Sequence, residues 1–353
     1  MRSRETLARL EEAPVVEALT GSLQWREDAD DLALGIDLGG SKILTAVVGA
    51  RGQMLSSDRS KTPAAEGHEA VVRSILESAH RSLQQAGVSV SELLAVGVGA
   101  PGLVNSRTGI VATSPHLPGW WDVPLRDIIQ DGLGKATFLI NDANAAALGE
   151  LRFGAALGAR NFIYITVSTG IGGGIVIDGE IYSGATGIAG EVGHMTIDDE
   201  GPACNCGNRG CWETLASGTA LAREARRRIE EGADTSIPAH AEGDVSRVTA
   251  KTVQSAAEQG DALSRELIGR TGYYLGVGLA NLVNIFNPEL IVVGGGLSNM
   301  GEMLLEPAFR TASERAYREA FEAVRFVRAE LGRNSGVLGA AAFALQEMRR
   351  QAL

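Results

Sequence analysis

Two stretches of this 353-residue chain share one pattern: an apolar strand, a glycine-rich turn and a second apolar strand. The first, LALGIDLGGSKILTAVVG, covers 32–49, and the second, NFIYITVSTGIGGGIVIDG, covers 161–179. Short apolar runs bounded by glycine read as strands, and a tight connection between two of them makes a hairpin. Each hairpin opens one half of the chain, so the pattern points to a duplicated α/β architecture. Between them, 69–86 is expected to form an amphipathic helix with Val71, Ile75, Ala79 and Leu83 on one face. LLAVGVGAPG (93–102) reads as a strand ending in a bend, and TFLINDANAAALGELRFG (137–154) runs from a strand through Asn141 and Asp142 into an alanine-rich helix. A polar pair at such a junction can project into a cleft, or Asp142 can simply cap the helix. Further helices are expected at about 214–230 and 249–259, with a long one near 261–285 that must stop before Asn287-Pro288. Strands at 290–298 and 324–329 and a helix from about 335 complete the pass.

The length suggests two domains: 32–141, completed by a C-terminal helix at about 335–350, and a larger one over 142–334, with 1–31 as an N-terminal extension. With 44% apolar and 21% charged residues, the composition is that of an ordinary soluble globular chain. The formal charge of −11 argues against gripping a phosphate backbone, so no nucleic-acid partner is expected. The N-terminus lacks an apolar signal core and the apolar runs are short and broken by glycine, so no membrane association and a cytoplasmic location are expected.

Glycine clusters follow three strands: DLGGSK (37–42), STGIGGG (168–174) and GGGLS (294–298). Without a Cβ, the backbone amides of such turns approach phosphates closely. Any one of them could be a plain hairpin, but three together, the first with an acid, favour a nucleotide cleft. The P-loop pattern GxxxxGK[ST] is absent. GVGAPG (97–102) matches GxGxxG, yet LVNSRTGIV after it has no helix signal to receive a pyrophosphate.

All three cysteines, Cys204, Cys206 and Cys211, fall in one loop, with His194 ten residues ahead. Three is an odd number for disulfides, and Cys204 and Cys206 are too close to bridge easily. Three thiolates and an imidazole form a complete tetrahedral set for a structural Zn2+ with no open position for catalytic water. A chain this long does not need zinc to fold, so the metal would pin the loop.

The stretch STGIGGGIVIDGEIYSGATGIAGEVGH, followed by CNCGNRGCWE, resembles the signature and cysteine motif of the ROK family of sugar kinases and repressors. With DLGGSK, NDANAAALGE and LIVVGGGLS, the resemblance extends over about 32–347. It implies a two-domain actin-like ATPase (ribonuclease H-like) fold, with ATP and a hexose meeting in an interdomain cleft. It also implies that Gly39, Gly40 and Lys42 lie along a first phosphate loop, Thr169 and Gly170 along a second, and Gly294, Gly295 and Gly296 near the adenosine. Asp37 would face Mg2+ through water. Asp142 takes the family's general-base position, and Asn141, Glu191, His194 and Glu213 fall on sugar-contact positions, joined by Gly102. Carboxylates, amide and imidazole suit a ring of hydroxyls that donate and accept, although Glu191 and Glu213 could also be surface acids. On this reading zinc held by His194, Cys204, Cys206 and Cys211 draws Glu191 and Glu213 toward the sugar, with the second ring nitrogen of His194 left to a hydroxyl.

The look of GPACNCGNRGCWETLASG favours glucose, converted to glucose 6-phosphate in carbohydrate metabolism and glycolysis, over N-acetylmannosamine, N-acetylglucosamine or fructose. Family members that repress transcription carry a DNA-binding module before this body. Residues 1–31, with four Arg against eight Asp or Glu, are expected to be too short and acidic for that. The resemblance suggests a homodimer or homotetramer. Many members read PNLPGW where this chain has SPHLPGW (114–120), so His116 stands where asparagine is common and is expected either to alter hexose ranking or to lie on the loop surface.

Overall fold

The structure, a computed structural model, describes residues 31–115 and 117–352. The expected extension, Asp31 apart, and His116 lie outside the described residues. The first hairpin forms with β1 (Leu32–Leu38) antiparallel to β2 (Lys42–Gly49), from Leu32 opposite Gly49 to Leu38 opposite Ile43. β3 (Met54–Lys61) is added at the edge, and its alternation of half-buried and exposed residues fits a strand with one covered face. α1 (His68–Ala86) packs on β2 and β3 with Val71, Ile75, Ala79 and Leu83 all buried, the face its periodicity predicts. β4 (Leu93–Ala100) runs parallel to β1. The short strands β5 (Leu103–Asn105), β6 (Ile110–Thr113) and β7 (Trp121–Val123) form a small sheet of their own. α2 (Leu125–Leu133) then leads to β8 (Thr137–Asn141), parallel to β4, and α3 (Asp142–Phe153) follows directly.

The second hairpin is β9 (Phe162–Val167) and β10 (Ile171–Ile177), with the two-residue β11 (Glu180–Ile181) beside β10. The helix expected over 214–230 is two helices, α4 (Trp212–Ala216) and α5 (Gly218–Glu230). The break falls at Ser217, whose hydroxyl caps α5 by accepting from Ala220 N at 3.2 Å. α6 (Ala250–Glu258) and α7 (Ala262–Phe286) come next. α7 stops at Asn287, which takes a left-handed conformation (φ 42°) just ahead of Pro288. β12 (Leu290–Gly294), α8 (Glu302–Arg315), α9 (Arg318–Ala323), β13 (Arg325–Arg328) and α10 (Ser335–Gln351) complete the described chain. No helix among the described residues is long and apolar enough to cross a membrane.

The two five-stranded sheets follow the same path: β3-β2-β1-β4-β8 in one and β11-β10-β9-β12-β13 in the other. The described residues divide into two compact units, 31–164, 174–190 and 329–352 in the first, Ile165–Gly173 and Glu191–Arg328 in the second. This differs from a division at 141/142, because α3 packs along α10 and α10 lies on β1 and β4. The approach is close enough that a Cβ on Gly97 of β4 would run into the Ala340 carbonyl. Glu150, fully buried near the end of α3, accepts from Ala155 N (2.9 Å), Glu330 N (3.1 Å), Leu331 N (3.0 Å) and the Ser335 hydroxyl (2.8 Å). These four bonds satisfy a carboxylate that would otherwise be costly to bury, and they tie α3 to the start of α10.

Candidate active site and metal centre

In the first unit, the candidate residues gather at the C-terminal ends of neighbouring strands, where open α/β sheets bind their ligands. Asp37 pairs with Gly99 across β1 and β4, and Ala100 pairs with Asn141 across β4 and β8. The turn carrying Gly39 and Gly40 is closed by Gly39 N donating to Lys42 O at 2.9 Å, while the Thr62 hydroxyl donates to Gly39 O at 2.7 Å. Lys42 is exposed at the start of β2.

Burial pushes the Asp37 carboxyl up to about 6, against the opposing field of Arg59. The first turn of α10 abuts this group: a Cβ on Gly336 would stand 2.9 Å from Asp37 Cγ. An oxygen donor whose charge is disfavoured by burial is suited to a hard dication that restores it, so the position fits Mg2+. The raised pKa also has a consequence for stability. Between about 3.8 and about 6 the folded chain keeps a proton that the unfolded chain has lost, so stability falls as pH rises through that window. Asp37→Asn is therefore expected to unfold at higher urea than the parent above about pH 6 in metal-free buffer, by on the order of 1–2 kcal/mol, and to match it below about pH 3.8. Equal midpoints at both pH values would show that the carboxyl is not perturbed.

Asn141 and Asp142 sit at the β8–α3 junction, both half-buried. Asn141 supplies the N-cap: its Oδ1 accepts from Ala143 N at 2.9 Å and Asn144 N at 3.1 Å. Its Nδ2 donates to Gly102 O at 3.3 Å, which ties the Gly102 bend to the same helix end. Asp142 Oδ1 accepts from Ala143 N at 2.8 Å. The N-cap position thus belongs to Asn141, and Asp142 shares one of its amides.

The second unit brings together the other two glycine loops. Between β9 and β10, Ser168 N donates to Gly170 O at 2.9 Å, and the start of α5 docks there through Gly218 N to Ser168 O at 2.7 Å and Thr219 N to Thr169 O at 3.3 Å. Gly295 takes φ 88°, and a Cβ there would collide with the Val167 backbone, while one on Gly296 would stand 3.7 Å from Ser168 Oγ, so the turn that follows Gly294 at the end of β12 lies against the end of β9.

Glu213 links this loop to the cysteines. Its Oε2 accepts from Ile171 N at 3.4 Å and would be 2.5 Å from a Cβ on Gly170. Its Oε1 lies 3.6 Å from Cys204 Sγ and 3.8 Å from His194 Nδ1. His194 Nε2 faces the other way, 3.9 Å from Glu191 Oε2. Desolvation raises the Glu191 carboxyl above its usual range, with His194 opposing the shift and Glu213 adding to it.

One ligand atom each from His194, Cys204, Cys206 and Cys211 lies within 4.8 Å of the other three. Cys204 Sγ is 3.6 Å from His194 Nδ1 and Cys206 Sγ is 3.6 Å from Cys211 Sγ. A tetrahedron with Zn–S bonds of about 2.3 Å has edges of about 3.8 Å, so the set fits zinc. The S···S separation also exceeds that of a disulfide, and the three cysteines are free thiols. Burial pushes the Cys211 thiol up to about 12 and raises Cys204 as well. A cation among them would hold both as thiolates.

Residues that sequence reasoning passes over hold Glu213 from behind. Trp212 is fully buried, its Nε1 donating to Tyr274 O at 2.9 Å, and its indole fills the space a Cβ on Gly278 of α7 would need. Glycine and a tryptophan far apart in sequence carry no mutual signal.

Two sheets of one strand order, each with a glycine-turn hairpin, define a chain of the actin-like ATPase fold. The chain belongs to the ROK family, whose pattern matches residues 33–347. It is 38% identical over 312 residues to a glucokinase of Halalkalibacterium halodurans, covering 88% of this chain and 94% of that one. It is also 32% identical over 326 residues to a xylose repressor of Caldicellulosiruptor bescii, covering 92% and 81%. Among solved structures, a ROK family glucokinase from Streptomyces griseus in complex with glucose and AMPPNP superposes with a TM-score of 0.79 at 35% identity, covering 89% of this chain and 99% of that one.

Proposed function

We propose that this ATP-dependent hexose kinase takes glucose as its preferred sugar and makes glucose 6-phosphate, with Asp142 as general base. The observation that carries the reading is the arrangement of the β8–α3 junction, where Asn141 is the N-cap, taking the Ala143 and Asn144 amides, and Asp142 follows as the first residue of the helix, sharing the Ala143 amide. Asp142 accepts the proton of the sugar's 6-hydroxyl as the oxygen bonds to the γ-phosphorus and the bond from that phosphorus to the β,γ-bridging oxygen breaks, leaving ADP. Asn141 orders the base and the Gly102 bend beside it. Glu191, His194 and Glu213 accept and donate to the ring hydroxyls, with His194 acting through Nε2.

Gly39, Gly40, Lys42, Thr169 and Gly170 cradle phosphates, and Gly294, Gly295 and Gly296 adjoin the adenosine. Mg2+, when bound near Asp37, neutralises charge on the transferring phosphates. Zn2+ held by His194, Cys204, Cys206 and Cys211 fixes the loop and the ring orientation of His194. The reading puts the protein in the cytoplasm at the entry of glucose into glycolysis, as a homodimer or homotetramer that sedimentation would reveal.

The deciding experiment is ADP release over a panel of glucose, mannose, fructose, N-acetylglucosamine and N-acetylmannosamine. Glucose should have the highest kcat/KM; an N-acetyl sugar or fructose in first place would overturn the assignment. The 32% identity to a xylose repressor favours a second reading, sugar-responsive DNA binding. It predicts a gel shift on operator DNA released by sugar and no turnover.

A further inference from the structure

A cavity of about 400 Å3 opens in the second unit between the cysteine loop, α5 and α7. Its floor is apolar or hydroxylic, from Leu221, Leu267 and Thr271, all buried. Three guanidinium groups face it, from Arg209 in the cysteine loop, Arg223 on α5 and Arg270 on α7. Three carboxylates line it too, from Asp198, Glu200 and Glu224. Glu224 is paired with Arg227 at 2.7 Å and has Arg270 at 3.8 Å. Asp198 accepts from Glu200 N at 3.2 Å within its own turn. Among the described residues, neither Arg209 nor Arg223 has a carboxylate within ion-pair distance. Tyr274 forms one wall, with the Arg270 guanidinium 5.8 Å from its ring centre.

The walls also hold the residues on either side of Glu213. Arg223 Nη2 donates to Thr214 O at 2.5 Å, and Tyr274 O accepts from Trp212 Nε1 at 2.9 Å. Glu213 is therefore suspended between two hydrogen bonds whose partners both line the cavity.

We propose that this cavity is a second, regulatory site that binds a small phosphomonoester and lowers the affinity for hexose. A guanidinium fork matches phosphate oxygens in pairs, and Arg209 and Arg223 are the two without a carboxylate. The volume suits a phosphorylated three- to six-carbon metabolite, whose skeleton packs on Tyr274 and Leu267 while Asp198 and Glu200 accept from its hydroxyls. A phosphate drawing Arg223 toward itself removes the Thr214 tether, and Glu213 loses one of its two supports. The coupling to hexose rests on the assignment of Glu213 to the sugar. By linkage, hexose must weaken the phosphomonoester by the same factor.

The test is calorimetry on the full chain with ADP saturating, so that the nucleotide's phosphate loops are filled, using glycerol 3-phosphate, fructose 6-phosphate and inorganic phosphate as probes. At least one sugar or glycerol phosphate should bind at millimolar concentration or below, and Arg209→Ala and Arg223→Ala should each weaken it by about tenfold. Bound probe should raise the glucose Kd by about two- to tenfold, glucose should raise the probe's Kd equally, and the factor should fall to one in Arg223→Ala. Two variants guard against a fold effect, since Arg209 is an exposed loop residue. No binding by any probe, or binding that both variants leave unchanged, overturns the site. A glucose Kd that ignores bound probe overturns its regulatory role. A chain that binds probe but not glucose leaves the site standing and removes the hexose kinase reading instead.

Discussion

Asp142→Ala is expected to lower kcat by about 10²- to 10⁴-fold while leaving the Kd for glucose within about threefold of the parent. Phosphoryl transfer asks the protein chiefly for positioning and charge neutralisation, so losing the base leaves a slow but real reaction. Asp142→Asn, which keeps the size and removes the basicity, should lose as much. A helix-cap role makes a different forecast, and the two are separable. Because Asn141 Oδ1 accepts the Ala143 and Asn144 amides, Asn141→Ala should cost about 0.5–2 kcal/mol of stability. Asp142→Ala should cost less than that. Denaturant unfolding beside steady-state kinetics reads both quantities. A variant with near-parental kcat, or a stability loss at Asp142 larger than at Asn141, would return this carboxylate to an architectural role.

How much of this was legible before the structure follows from the range of each signal. The hairpins at 32–49 and 161–179, the buried face of α1 and the stop of α7 at Asn287 are local, written in periodicity and in the residues that end elements. The Cys3His cluster was legible because three of its ligands fall in one loop. What stayed hidden depends on partners distant in the chain. Glu150 sits in an alanine-rich helix like any surface acid, and only the arrival of Glu330, Leu331 and Ser335 explains its burial. α8 carries Pro307 inside it, a residue whose usual meaning is the end of a helix. The second unit's boundary is equally non-local, since α3 is claimed by α10 almost two hundred residues later. Glu213 shows both sides: its place after the cysteines was plain, but its contact with the Gly170 turn was not.

That contact gives the metal its largest expected effect. Purified protein should carry about one zinc per chain, and Cys206→Ser should weaken glucose binding by about 10- to 100-fold while ATP affinity stays within about twofold. Cys206 is the exposed ligand, so a serine there removes a donor without opening a cavity in the core. Without the metal, the loop keeps backbone bonds such as Cys204 N to Asn208 O at 2.8 Å and Trp212 N to Met195 O at 2.8 Å. Those hold the ends of the turn, but nothing comparable then fixes the His194 ring, whose Nδ1 faces the thiols while Nε2 faces Glu191. Glu213 then faces at Oε1 an imidazole whose ring is no longer fixed, while Oε2 keeps the Ile171 amide. The sugar contacts are therefore expected to suffer first. The residues proposed to contact the nucleotide stand on β9, β12 and the start of α5, and the cysteine loop touches this set through Glu213 at the Gly170 turn, so the change in ATP affinity is expected to be the smaller of the two. Chelation of the parent should reproduce the Cys206→Ser phenotype, and added zinc should restore the chelated parent but not the variant. Zinc-free protein with an unchanged glucose Kd would mean that the four ligands do not shape the sugar site at all.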